Sequence, residues 1–91
     1  MSRLNDAQIA QALRQTPGWE RAGPEITRTY RFKDFREALA FVNRVGALAE
    51  RAGHHPDIDI RYSAVTLALT SHDAGGLSGK DFELARASDA G

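Results

Sequence analysis

Between Asp34 and Pro56 the chain carries a run whose pattern limits everything around it. Phe35, Ala38, Leu39, Val42, Val45 and Ala49 recur three and four residues apart, and Phe41 and Leu48 widen the stripe. That periodicity predicts an amphipathic helix. Asp34 with Glu37 three positions on has the capping-box spacing, and Gly53 is placed to end the helix in a left-handed turn. Pro56 then pushes His55 toward extended backbone, so the chain must turn a rigid corner there. A helix of about 18 residues, roughly 27 Å long at 1.5 Å per residue, needs a sheet to cover its stripe.

The flanking segments supply one. Trp19 to Arg21 predicts a short strand that turns at Ala22-Gly23-Pro24. From Glu25 to Phe32, Ile26, Tyr30 and Phe32 alternate with polar residues, Arg28 being the exception on the apolar side. After the corner, Asp57 to Tyr62 places Ile58, Ile60 and Tyr62 on one side. Ala64 to His72 does the same with Val65, Leu67 and Leu69. Asn5 caps a first helix ending near Gln15, and Ser78 with Asp81 opens a short last one, with Ala87 to Gly91 expected to fray. The prediction is an α+β fold in the order α-β-β-α-β-β-α: a four-stranded antiparallel sheet covered on one face by three helices.

Ninety-one residues suit one domain, spanning 1–91, with a thin core to which self-association would add. Twelve basic and twelve acidic residues balance, which argues against nucleic-acid binding through bulk charge. With no cysteine there is no disulfide and no thiolate chemistry. The first residues lack an apolar signal core and no apolar run approaches a membrane span, so a cytoplasmic protein is expected.

Chemistry therefore falls to His54, His55 and His72, the only histidines in the chain. The first two sit at the helix-to-strand corner, and a hairpin joining the last two strands returns His72 to the same end. A histidine beside a strand is usually a surface or core residue, but three converging at one corner form a titratable cluster of the kind found at sites. Two readings follow from the residues alone: acid-base catalysis between imidazoles, or a three-histidine metal site. A third, from another class, is an interaction module using the open sheet face or an edge strand.

The spacing Glu50, three residues, His54-His55-Pro56, five residues, Tyr62, nine residues, His72, eight residues, Asp81 resembles the signature of the pterin-4a-carbinolamine dehydratases. Gly18-Trp19 and Phe32-Lys33-Asp34-Phe35 extend the likeness, which covers about Gly18 to Ala85. The resemblance implies a hydro-lyase that needs no cofactor and no metal and dehydrates 4a-hydroxytetrahydrobiopterin in tetrahydrobiopterin recycling. It implies His54 and His72 as the acid-base pair, in an order spacing leaves open, with His55 helping to hold the pterin. Glu50, Trp19 and Asp81 are the implied substrate-binding residues. The implied partners are the pterin, further copies of the chain as a homodimer or homotetramer, and an aromatic amino-acid hydroxylase in the same cycle.

Overall fold

The computed structural model describes residues 2–90. Helix α1 (Asp6–Arg14) starts under a reciprocal capping box: Asn5 accepts from the Gln8 N–H at 2.8 Å, and Gln8 accepts from the Asn5 N–H at 2.9 Å. Strands β1 (Glu20–Ala22) and β2 (Glu25–Arg31) form a hairpin, α2 (Phe35–Ala52) follows, and β3 (Asp57–Arg61) and β4 (Ala64–Leu69) form a second hairpin. A single 3-10 turn, His72–Ala74, leads to α3 (Gly79–Asp89). The sheet is antiparallel throughout in the order β1-β2-β4-β3, with the helices packed over one face. The expected α+β class and element order hold.

β4 is a central strand, and its pattern shows it. Val65, Leu67 and Leu69 are fully buried beneath the helices with Ile26, Val45, Leu77 and Phe82, while Thr66 turns to the open face and bonds Thr29 across the strands at 2.8 Å. Arg28, the exception in β2, has a use on the apolar side. Its guanidinium lies 4.7 Å from the centroid of the Tyr30 ring and pairs with Asp89 at 3.1 Å.

Several sequence expectations shift. The helix stripe is rotated: Ala38, Phe41, Val45 and Ala49 are its buried line, whereas Phe35 and Leu39 remain 46% and 38% exposed. Ile58 and Ile60 face the helix side opposite Leu67 and Val65, yet they stay 37% and 38% exposed because β3 is the edge strand and α2 does not reach over it. Tyr62 lies in the hairpin turn at φ 54° rather than in the strand, and is 72% exposed. Capping at Asp34 is half a box. Asp34 accepts from the Glu37 N–H at 2.9 Å, but Glu37 reaches past Asp34 to the Lys33 N–H at 3.0 Å. Finally, α3 runs to Asp89 instead of fraying from Ala87, since the Asp89 carboxylate is held by Trp19, Tyr30 and Arg28.

Candidate active site

The corner that carries two histidines is built by the backbone. Gly53 takes the left-handed conformation at φ 63°, its N–H bonds the Glu50 carbonyl, and the His54 N–H bonds the Ala49 carbonyl. This is the Schellman closure, and it fixes where the His54 side chain leaves the helix end. β3 starts three residues later opposite the end of β4, with Asp57 across from Ala68. The chain beyond Leu69 therefore emerges at the same end of the sheet as the corner. There Ser71 exchanges backbone hydrogen bonds with Gly76, which folds the intervening residues into the 3-10 turn. His72 thus opens a turn and does not end a strand, as its sequence pattern suggested.

The shortest and most buried histidine contact at this end is between His54 and Asp81. The His54 Nε2 lies 2.5 Å from the Asp81 Oδ1. Asp81 has no solvent exposure, and the His54 side chain only 12%. The other carboxylate oxygen accepts from Ser71 Oγ and from the Ser78 N–H, both at 2.9 Å. An ionised carboxylate only accepts, and two donors already converge on Oδ2, so the arrangement favours the tautomer in which His54 Nε2 carries the proton and Nδ1 is left open. Asp81 also serves in the capping box of α3, as its spacing from Ser78 suggested. Asp81, implied by the resemblance as a substrate-binding residue, thus has the His54 ring as its side-chain partner here.

His55 bonds Glu50 at 2.6 Å, with 64% and 78% of the two side chains exposed. Glu50, implied by the resemblance as a substrate-binding residue, has the His55 imidazole as its partner. His72 is exposed, and its ring makes no hydrogen bond or ion pair with any described residue. The three rings thus share one end of the sheet but stand in different surroundings: His54 against a buried carboxylate, His55 against an exposed one, His72 open to solvent. A hollow of about 580 Å³ between the N-terminal segment and the β1–β2 turn includes Gly75 and Gly76 in its wall. No histidine lines it, nor four others of about 270 to 510 Å³. Among the described residues no three His, Cys, Asp or Glu side chains are grouped to hold a metal ion, so the three-histidine metal reading lacks its geometry.

Trp19, which the resemblance implies in substrate binding, lies in the core. It is 5% exposed, meets the edge of Tyr30 at 6.3 Å, and donates its indole N–H to Asp89 at 3.0 Å. Asp89 ends α3, whereas Asp81 lies in its first turn, roughly 12 Å away at 1.5 Å per residue. Around Asp89, burial first and then the carboxylate's hydrogen bond and charge push the Tyr30 phenol well above its ordinary value. Sequence reasoning missed Ser71 as part of the site. Its signal was available, a small hydroxyl directly before His72, but nothing in the chain order pairs position 71 with position 81.

Residues 2–90 match the family model described as pterin 4 alpha carbinolamine dehydratase. Relatives in Thermomicrobium roseum (62% identity, covering 94% of this chain and 92% of the relative) and Chloroflexus aurantiacus (60%, covering 98% and 96%) both carry the provisional name pterin-4-alpha-carbinolamine dehydratase. The crystal structure of a transcriptional coactivator/pterin dehydratase from Brucella melitensis superposes with a TM-score of 0.95 at 33% identity, covering 98% of this chain and 97% of that one. A pterin dehydratase-like RuBisCO assembly factor of the alpha-carboxysome shares the fold, with a TM-score of 0.69 at 22% identity over 80% of this chain and 87% of that one. No helix among the described residues is long and apolar enough to cross a membrane.

Proposed function

The chain belongs to the pterin 4 alpha carbinolamine dehydratase family, and from that membership we propose that it dehydrates 4a-hydroxytetrahydrobiopterin to quinonoid dihydropterin and water. The substrate bears a hydroxyl on the carbon next to a ring nitrogen. In the reaction the N–H bond gives its proton to a base, its electron pair forms the C=N bond, and the C–O pair leaves with the oxygen, which takes a proton from an acid. One proton enters and one leaves, so no redox partner is involved.

The observation that carries this reading is the His54–Asp81 contact. A carboxylate behind an imidazole holds its tautomer and stabilises the cation that forms when the far nitrogen accepts a proton. That gives His54 the base role through Nδ1, with His72, whose ring has no partner among the described residues and whose turn is tied to the same network through Ser71, as the acid. Each transfer contributes about 10² to 10⁴ in rate. His55, set by Glu50, helps hold the pterin at the open rim. In this reading the substrate comes from a pterin-dependent hydroxylation, so an aromatic amino-acid hydroxylase is the proposed supplier and the cytoplasm the proposed compartment. The decay of freshly generated carbinolamine, followed with and without protein and then with His72→Ala, tests the reading: acceleration that is lost in the variant is expected, and a rate equal to the spontaneous one overturns it.

A second copy of the chain is the proposed cover for Phe35, Leu39, Ile58, Ile60 and Tyr62. β3 reads Asp-Ile-Asp-Ile-Arg and is an edge of the sheet, so a second copy can pair along it and cover Ile58 and Ile60. Light scattering showing only monomer at micromolar concentration would count against this assembly.

A further inference from the structure

Resting on the dehydratase reading, we propose that Ser71 is a positioning residue: its hydroxyl joins the His72 turn to the Asp81 carboxylate and so sets His54 and His72 relative to each other.

Ser71 is fully buried, and every polar group on it is engaged. Its backbone closes the turn that carries His72. The Ser71 N–H donates to the Gly76 carbonyl, and its own carbonyl accepts from the Ala74 and Gly76 N–H groups. Its side chain points the other way, donating to Asp81 Oδ2 at 2.9 Å and lying 2.7 Å from Ser78 Oγ. A serine hydroxyl has one proton. Because that proton goes to an acceptor-only carboxylate, Ser78 must be the donor to Ser71, and the chain of bonds has a single direction: Ser78 Oγ to Ser71 Oγ to Asp81, whose other oxygen faces His54. The two rings assigned to the reaction come from segments 18 residues apart and share no direct contact among the interactions described. Ser71 is the one residue that belongs to the turn of one and touches the partner of the other.

A carboxylate can swing about its Cβ–Cγ bond. Here the Ser78 N–H and Ser71 Oγ hold Oδ2 from two sides, which leaves Oδ1 aimed at His54. Without the Ser71 hydroxyl, one restraint on the carboxylate disappears and with it a side-chain tie from the His72 turn. No direct contact with the pterin is needed for this role, so the effect falls on turnover and not on binding.

The test uses the full chain and three measurements. In Ser71→Ala, kcat is expected to fall about tenfold, equivalent to about 1.4 kcal/mol, with KM unchanged within about twofold. Introduced together with Asp81→Asn, Ser71→Ala should cost little beyond Asp81→Asn alone, because both act through one linkage. Independent multiplicative losses, or a rise in KM alone, overturn the proposal. The third measurement needs no activity. Proton NMR of the unaltered protein should show a slowly exchanging, far-downfield His54 Nε2–H and a protected Ser71 hydroxyl proton, and Ser71→Ala should broaden or abolish the former. A wild-type spectrum lacking both, or an imidazole resonance unchanged in a folded Ser71→Ala, overturns it. If the protein proves to have no dehydratase activity, the reaction assigned above fails while these spectra still decide the role of Ser71.

Discussion

Replacing Asp81 with asparagine changes one atom and reverses one hydrogen bond. The wild-type carboxylate accepts from three groups: His54 Nε2 on one oxygen, and Ser71 Oγ and the Ser78 N–H on the other. Asparagine keeps one acceptor oxygen, and it must face the Ser78 N–H, which the backbone fixes. The amide NH₂ is then directed at the His54 Nε2, where two N–H groups cannot meet at 2.5 Å. His54 must switch tautomer, present a lone pair to the amide and place its proton on Nδ1, which removes the base. The expected loss in kcat is about 10² to 10⁴, or about 2.7 to 5.5 kcal/mol on the barrier. Stability should fall by only about 1 to 3 kcal/mol as charged hydrogen bonds become neutral ones. Carbinolamine decay corrected for its spontaneous rate gives the first number, and urea unfolding the second. Nitrogen-15 spectra report the tautomer. A folded Asp81→Asn whose kcat stays within about threefold of wild type, or whose His54 still carries its proton on Nε2, refutes the argument.

His72→Ala should lower kcat by about 10² to 10⁴ with almost no change in melting temperature, because its exposed ring is tied to no described residue. His55→Ala should raise KM while costing under about 1 kcal/mol of stability, since its pair with Glu50 is exposed; an unchanged KM removes His55 from the pterin site. Tyr30 predicts an alkaline effect. Its phenol holds its proton in the fold to higher pH than in the unfolded chain, so its contribution is complete below about pH 10 and declines above it. Urea midpoints at pH 8 and pH 11 should diverge less in Tyr30→Phe than in wild type. Leu39→Lys should be tolerated by the folded monomer and Val45→Lys should not, because Leu39 is 38% exposed whereas Val45 is fully buried; Ile60→Asp should leave a folded protein that no longer self-associates.

The sequence by itself determined the elements and the end of the molecule that carries the three histidines. Helix α2 was legible to its last residue because caps and breakers act within a few positions: Asp34 at its start, Gly53 and Pro56 at its finish. The Glu50-to-Asp81 spacing pointed to the family and to the residues worth examining, and four of those meet in pairs, His54 with Asp81 and His55 with Glu50. Tertiary structure decided which face of α2 is inside, because Phe41 and Leu39 satisfy a helical stripe equally and only the reach of the sheet selects between them. It also placed Trp19 with Asp89, 70 residues away, and joined Ser71 to Asp81. Such pairings are set by how hairpin and helix pack, a geometry that no local periodicity encodes.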